Sequence, residues 1–228
     1  MSGFSFTTTP FGENGWLATL SGSDIVTRAL AANAAADRLR LLPGITDAVA
    51  GVESLVLRYD PSDLTSKNAL HSLELTLSNI DNKPLTAPLT IDVPVCYGGA
   101  HGPDFNALCE KLSLSGDALI KLHTSQRYRV LTIGFAPGFA YLGPLPQALQ
   151  TARLATPRTH VPAGSVGIAG AMTGVYALSS PGGWPLIGRT PKRLFDARAE
   201  NPFVFSSGTE VRFTSIDAAA FNAFDTSA

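Results

Sequence analysis

The sequence predicts an α+β fold in two parts, and three observations predict it. A length of 228 residues suits one large domain or two small ones. Segments with strand and helix periodicity alternate through the first part, residues 1–92. The second part, residues 93–228, is divided into short apolar runs by most of the chain's 21 glycines and 16 prolines, a composition typical of turns and short strands.

The first part is predicted to follow the order β-α-β-β-α-β. Its strands are residues 14–20, 45–50, 54–59 and 89–95, and its helices are residues 24–42 and 62–78. Ser23 and Ser62 are suitable N-caps for the two helices, and the Pro43-Gly44 pair ends the first helix. This order is that of a split βαβ, ferredoxin-like domain.

The second part is predicted to begin with two short helices and to continue as strands. The helices are residues 103–112 and 115–124, and the strand candidates are residues 128–135, 165–169, 174–178, 186–189 and 210–214. Strands of this length between glycine and proline turns predict a small barrel or a sandwich. The helix pair is not a good DNA-binding unit, because its second helix offers only Lys121 as a strong base, with Asp117 against it.

Composition and charge exclude several classes of protein. Hydrophobic residues make up 45% and charged residues 15% of the chain, which excludes intrinsic disorder. A formal net charge of −1 gives no attraction for nucleic acid or for a membrane surface. Two uncharged stretches, residues 130–152 and 161–188, are interpreted as buried strands and loops rather than membrane helices. No secretory signal precedes Arg28, the first basic residue, so we expect a cytoplasmic protein.

Two arginines flank the glycine-rich apolar stretch, Arg158 before it and Arg189 at its end. A guanidinium at the edge of an apolar pocket suits bidentate binding of a carboxylate or a phosphate. Tyr141, Tyr176 and Trp184 can supply the walls and polar groups of such a pocket. The alternative is that the arginines bond barrel carbonyls and the aromatic residues fill the core.

The common nucleotide and hydrolase signatures are absent, including the phosphate loop, G-x-G-x-x-G, G-x-S-x-G and H-E-x-x-H. Gly164, Gly167 and Gly170 recur at a spacing of three. This spacing is compatible with backbone N–H groups that approach an anion or an acyl oxygen. Turn geometry in a barrel explains it more simply.

The histidines and cysteines give weaker signals. His123 lies at the end of a predicted helix and just before a strand, where helix capping and general acid-base catalysis are equally plausible. Cys96, His101 and Cys109 fit no standard zinc spacing. We therefore expect no metal site in this chain, and we expect its two cysteines to be reduced thiols.

A family resemblance rests on long ordered strings in the second part. They are VPVCYGG at residues 93–99, GPD at 102–104, GFAPGFAYLG at 134–143, TPRT at 156–159, VPAGSVGIAG at 161–170 and SPGGWPLIGRTP at 180–191. With them, the chain resembles the family of B-type 5-oxoprolinase subunits, also described as KipI-like proteins or allophanate hydrolase subunit 1. The resemblance implies that the barrel is cyclophilin-like and follows an N-terminal α/β domain.

The resemblance also implies an activity and partners. A family member of this kind is one subunit of an ATP-dependent 5-oxoprolinase, a lactam hydrolase that opens 5-oxo-L-proline to L-glutamate. It joins a C-type subunit and an A-type, LamB/YcsF-like subunit, and it is inactive alone. ATP, with Mg²⁺, then acts at the level of the complex, and nothing in this chain's sequence shows where it binds.

We predict site residues on this basis. Arg158 and Arg189 would bind anionic groups, and His123 would transfer a proton. The segment from Gly164 to Gly170 would supply backbone donors. The substrate-binding residues would be Tyr141, Gly164, Ser165, Gly167, Tyr176, Gly183 and Trp184.

Two other functions are compatible with the same resemblance. One is an interaction protein that inhibits a histidine kinase. The other is the carboxyltransferase subunit of a biotin-dependent enzyme related to urea carboxylase, which would require a biotinyl carrier among the partners.

Overall fold

The computed structural model describes residues 3–80 and 89–224. The chain divides into two compact units, residues 1–87 and 88–228, each with its own hydrophobic core. Within the described residues, no helix combines the length and the apolar character that a membrane span requires.

The first unit is a four-stranded antiparallel sheet that packs against two helices. Its elements are β1 Ser5–Pro10, β2 Gly15–Ser21, α1 Ile25–Leu39, β3 Ile45–Ala50, β4 Ser54–Tyr59 and α2 Ser66–Ser78. The strand order is β1-β2-β4-β3. Helix α1 buries a row of alanines, whose small side chains let it pack closely on the sheet and on α2.

The caps of these two helices differ from the predicted ones. Asp24 rather than Ser23 caps α1, and Thr65 rather than Ser62 caps α2. In both cases the side-chain oxygen accepts a hydrogen bond from the backbone N–H three residues further on. Ser62 lies instead in a turn, where its backbone N–H donates to the carboxylate of Asp60 over 2.8 Å.

The strand predicted to close the first part belongs to the second unit, and so the ferredoxin-like arrangement is not confirmed. Residues 90–97 form a strand of the second unit, where they run parallel to residues 210–216. The place beside β2 is taken by β1, which precedes it in the sequence. Sequence analysis missed β1 because this edge strand is threonine-rich, ends in Pro10 and buries no residue completely.

The second unit is a closed seven-stranded barrel with helices, which confirms the predicted barrel. Its elements are β5 Thr90–Tyr97, α3 Phe105–Leu112, α4 Gly116–Thr124, β6 Arg127–Ile133, β7 Ala140–Gly143, a short 3₁₀ helix Gln147–Leu149, β8 Arg158–Val161, β9 Ser165–Ala169, β10 Met172–Val175, β11 Ser180–Gly182, β12 Leu186–Arg189, β13 Glu210–Ile216 and α5 Ala218–Asn222. The strands close in the order β10-β7-β6-β13-β5-β12-β9. The two uncharged stretches thus supply strands and loops of this unit.

A two-stranded ribbon, β8 with β11, accompanies the barrel. Gly182 on β11 lies opposite Arg158 on β8, and Ser180 lies opposite Val161. The ribbon carries Arg158 and leads directly into Gly183 and Trp184, three of the residues predicted for the site.

Candidate functional site

An aromatic cluster forms around Phe139, just before β7. The Phe139 ring makes edge-on contacts with Tyr141, Tyr176 and Trp184, at centroid distances of 4.8, 4.9 and 5.7 Å. Tyr176 and Trp184 are buried. The three aromatic residues predicted for the pocket therefore lie together. Sequence analysis did not single out Phe139, although it stands in the GFAPGFAYLG string.

Phe135 extends this cluster towards solvent. Its ring contacts Phe139 edge-on at 5.4 Å and Tyr176 at 6.4 Å, yet 63% of the residue is exposed. Its φ of 68° lies in the left-handed region, which is uncommon for a bulky residue. A large exposed aromatic side chain held in this conformation is suited to cover a ligand or to contact a partner protein.

Arg158 lies beside the aromatic cluster, and one of its two terminal guanidinium nitrogens is bonded. Its Nη2 is 2.6 Å from Oδ1 of Asp104, and the other oxygen of Asp104 accepts the backbone N–H of Leu186 over 2.6 Å. This arrangement fixes the guanidinium against β12. Nη1 of Arg158 is buried and has no hydrogen-bond partner. Buried polar atoms are nearly always hydrogen-bonded, so this unsatisfied charged donor requires an explanation.

The positive charge of a second arginine, Arg153, acts on the same phenols. Burial raises the pKa of Tyr141 and of Tyr176, and the positive charge of Arg153 opposes that rise at both residues. Arg158 has the same opposing effect on Tyr176. Both phenols therefore stay protonated near neutral pH and can donate hydrogen bonds. Arg153 was not predicted, because the sequence around it contains no motif.

Gly182 lets the ribbon pack directly on Tyr176. A Cβ at Gly182 would lie 2.8 Å from two ring carbons of Tyr176, so glycine is required for this approach. Gly183 has more room, since its nearest neighbour would be Pro157 at 3.5 Å. Glycine is therefore not required at position 183 for lack of space, and a substrate-binding role of Gly183 stays a prediction.

The predicted backbone donors between Gly164 and Gly170 are already in use. The N–H of Gly164 donates to the carbonyl of Tyr176 over 2.7 Å, that of Ser165 to Pro162 over 3.2 Å, and that of Gly170 to Thr151 over 2.7 Å. Residues 165–169 of this segment form strand β9. These three N–H groups bond within the fold, and an anion-binding role for the segment stays a prediction. Gly164 is needed there because its φ is +83°.

Gly167 and Ser165 lie inside the barrel sheet rather than in a ligand loop. Both are buried residues of β9. A Cβ at Gly167 would lie 3.0 Å from the Cβ of Trp184. These residues support the aromatic cluster from behind, so a direct contact with substrate stays a prediction without structural support.

Arg189 is separated from Arg158 along β12. Arg158 is tied through Asp104 to Leu186, the first residue of that strand, whereas Arg189 is its last residue. Nε of Arg189 donates to the carbonyl of Ala163 over 2.8 Å, as the alternative interpretation of the arginines proposed. An anion-binding role for its remaining guanidinium nitrogens stays a prediction.

His123 is buried in the core, away from the aromatic cluster. Its Nδ1 is 2.8 Å from the Tyr97 hydroxyl and its Nε2 is 2.9 Å from Oγ1 of Thr173. Thr173 donates its own proton to the carbonyl of Gly167 over 3.0 Å, so Nε2 carries the imidazole proton and Tyr97 donates to Nδ1. Both nitrogens are thus occupied within the protein. The geometry favours a structural role over the predicted proton transfer.

Burial lowers the pKa of His123 from 6.5 to about 3, and this predicts a pH dependence of stability. Between these values the unfolded chain binds a proton at His123 and the folded chain does not, so the stabilisation present above pH 6.5 is lost as the pH falls towards 3. One such proton corresponds to about 1.4 kcal/mol per pH unit. Urea unfolding at pH 7 and pH 5 should show a smaller decline for His123→Gln than for the wild type. Equal declines would contradict the buried neutral imidazole.

A cavity of about 440 Å³ lies elsewhere in the second unit. It is lined by residues 96–101, Ile120 and residues 215–218, and none of the predicted site residues lines it. Burial raises the pKa of the Cys96 thiol at its edge, and the charge of Asp217 raises it further. Cys96 is therefore a protonated thiol rather than a reactive nucleophile.

Taken together, the aromatic cluster, Arg158 and Arg153 form the candidate site. It offers two cations and two protonated phenols beside an apolar wall. Groups of these kinds are suited to binding a small anionic ligand and orienting it against aromatic rings. Within residues 3–80 and 89–224, no group of three or more His, Cys, Asp or Glu side chains is arranged to hold a metal ion.

Comparison with known proteins agrees with this fold. A B-type subunit of 5-oxoprolinase from Escherichia coli O157:H7 is 42% identical over 181 residues, which is 78% of this chain and 81% of the relative. The crystal structure of TTHA0988 matches with a TM-score of 0.75 and 35% identity, over 90% of this chain and 40% of that one.

A more distant structure shares the fold alone. The urea carboxylase of Kluyveromyces lactis matches with a TM-score of 0.75 and 18% identity, over 96% of this chain and 22% of that one. The family model for the carboxyltransferase domain, subdomains C and D, matches residues 6–205. The chain therefore belongs to the carboxyltransferase-domain family of subdomains C and D, together with the B-type subunits of 5-oxoprolinase.

Proposed function

We propose that this chain is a subunit of an ATP-dependent 5-oxoprolinase, which opens 5-oxo-L-proline to L-glutamate. The observation that carries the proposal is the identity of 42% with a B-type 5-oxoprolinase subunit, over 81% of that protein. The candidate site supports it, because 5-oxoproline is a small carboxylate with an uncharged ring.

The chain's own residues would bind and orient the substrate. The unpaired Nη1 of Arg158 would take one carboxylate oxygen, and the phenols of Tyr141 and Tyr176 would donate to the remaining acceptors. The rings of Phe139 and Trp184 would cover the apolar ring face and exclude water. The proposal leaves proton transfer to groups outside this cluster.

ATP enters the proposal only at the level of the complex. When bound with Mg²⁺, it would supply the phosphoryl group that turns the lactam carbonyl oxygen into a leaving group. The described residues of this chain offer neither a phosphate loop in sequence nor a carboxylate cluster for the metal. We therefore assign no step of phosphoryl transfer to this chain.

Partner subunits are part of the proposal. The name of the E. coli relative denotes one subunit of several, and the chain covers only 40% of TTHA0988 and 22% of urea carboxylase. We propose a C-type subunit and an A-type, LamB/YcsF-like subunit as the partners, in the cytoplasm. The exposed Phe135 beside the candidate site is a suitable contact for one of them.

The test is 5-oxoproline-dependent ADP release by the complex that co-purifies with the tagged chain from its native host. We expect release by the complex and none by the isolated chain, because the chain lacks a recognisable ATP site. Release by the chain alone would contradict the proposed need for partners. No release from a complex that contains an A-type and a C-type subunit would contradict the proposed activity.

A second candidate is the carboxyltransferase part of a biotin-dependent enzyme. Membership of the carboxyltransferase-domain family and the fold shared with urea carboxylase favour it. The same purification separates the two functions, since this one requires a biotinylated carrier protein in the complex and biotin-dependent carboxyl transfer in place of 5-oxoproline-dependent ADP release.

A further inference from the structure

Two buried polar atoms on the β8–β11 ribbon have no hydrogen-bond partner. They are Nη1 of Arg158 and Oγ of Ser180. Buried polar groups are almost always bonded, so each exception requires an explanation. Two exceptions on one short ribbon suggest a common one. Ser180 belongs to none of the sites described above.

The strand register places Ser180 on the same side as Tyr176. Ser180 pairs with Val161 and Gly182 pairs with Arg158. The two paired positions are therefore three residues apart on β8 but only two apart on β11. The extra residue therefore lies in β8, and β11 stays regular. Residues two apart on a strand share a face, and the Gly182 face is the one that meets the Tyr176 ring.

The polar groups of Tyr176, Ser180 and Arg158 can all donate hydrogen bonds. The Tyr176 hydroxyl accepts a hydrogen bond from the Trp184 backbone and retains its own proton for donation. The Ser180 hydroxyl and Nη1 of Arg158 also have protons to donate. The neighbouring carboxylate, Asp104, is already occupied by Nη2 of Arg158 and the backbone N–H of Leu186. The charges of Arg158 and Asp104 already balance, but the Ser180 hydroxyl and Nη1 of Arg158 are hydrogen-bonded only when a further acceptor is bound.

We propose that Ser180 is a substrate-binding residue, and that its hydroxyl and Nη1 of Arg158 donate to the two oxygens of one ligand carboxylate. This inference rests on the proposed function, which names 5-oxoproline as the ligand. In this proposal, the main-chain hydrogen bonds between β8 and β11 fix the distance between the two donors.

The test compares Ser180→Ala with Ser179→Ala in the purified complex. Ser179 is a suitable control because its hydroxyl is already bonded, accepting the backbone N–H of Ala163 over 3.1 Å. We expect Ser180→Ala to raise the KM for 5-oxoproline on the order of tenfold to a hundredfold, the effect of losing a hydrogen bond to a charged group. Inhibition by pyrrolidin-2-one, the same lactam without the carboxylate, should stay unchanged.

Thermal unfolding of the isolated chain distinguishes a substrate-binding role of Ser180 from a structural one. Because the Ser180 hydroxyl is unpaired in the free protein, its removal should leave the Tm unchanged or raise it. A loss of Tm larger than that of Ser179→Ala, or an unchanged KM, would overturn the inference. Absence of 5-oxoproline turnover in the wild-type complex would overturn the proposed function and this inference with it, whereas turnover that Ser180→Ala leaves intact would overturn the inference alone.

Discussion

Replacing Arg158 with methionine is expected to lower kcat/KM for 5-oxoproline in the assembled complex on the order of a hundredfold or more. Methionine keeps much of the side-chain volume but removes the unpaired donor and the positive charge. The variant also removes the ion pair between Arg158 and Asp104. Because Asp104 bonds the backbone of Leu186 on β12, the variant also tests whether that ion pair holds β12 in place. The measurement is steady-state turnover of the complex against 5-oxoproline concentration.

Two further variants make this result specific. Arg193→Met removes a guanidinium that is 60% exposed and paired with Asp196, and it should leave turnover unchanged. Arg158→Lys keeps the charge but cannot hold Asp104 and a ligand with separate nitrogens of one planar group, so it should fall between methionine and the wild type. Turnover of Arg158→Met at the wild-type level would refute the substrate-binding assignment.

Replacing His123 with alanine is expected to have the opposite profile, with a large loss of stability and little loss of activity. The change opens a cavity in the barrel core and leaves the hydroxyl of Tyr97 without its acceptor and that of Thr173 without a donor. A loss of about 3–5 kcal/mol in the free energy of unfolding follows from the two effects. Urea unfolding measures it, and turnover per folded complex is measured at a temperature where the variant is folded.

The contrast between the two variants separates structure from chemistry. His123→Gln, which can bond both hydroxyls, should recover much of the stability that alanine loses. A His123→Ala complex that folds normally and yet loses turnover would contradict the structural role and restore the predicted proton transfer. An Arg158→Met chain whose main defect is in folding would contradict the assignment of Arg158 to substrate binding rather than to structure.

Local sequence signals predicted most of the individual elements, but they missed several short strands, such as β1 and β8, and assigned one strand to the wrong sheet. Strands β3, β4, β9 and β12 begin and end as predicted, because turn residues bound each of them. The segment 89–95 was correctly predicted as a strand but was assigned to the wrong sheet. Its parallel partner, β13, lies more than a hundred residues later in the chain, and no local pattern shows which distant strand will pair with it.

The site was predicted in part, for a comparable reason. Tyr141 lies on barrel strand β7, Tyr176 follows β10, Trp184 precedes β12, and Arg158 lies on the ribbon strand β8. The fold brings these residues together around Phe139. The burial of His123 could not be predicted, because a histidine at a helix end has the same sequence pattern whether it faces solvent or the core. Its proposed proton transfer stays a prediction. Arg153 and Ser180 were missed, since only the three-dimensional arrangement shows a charge beside two phenols or a buried hydroxyl without a partner.

The most direct test of the account is a crystal structure of the assembled complex with 5-oxoproline bound. The account predicts the substrate ring against Phe139 and Trp184, with its carboxylate about 3 Å from Nη1 of Arg158. A substrate bound elsewhere, with Nη1 of Arg158 still unpaired, would contradict the central claim that this face of the barrel recognises the substrate.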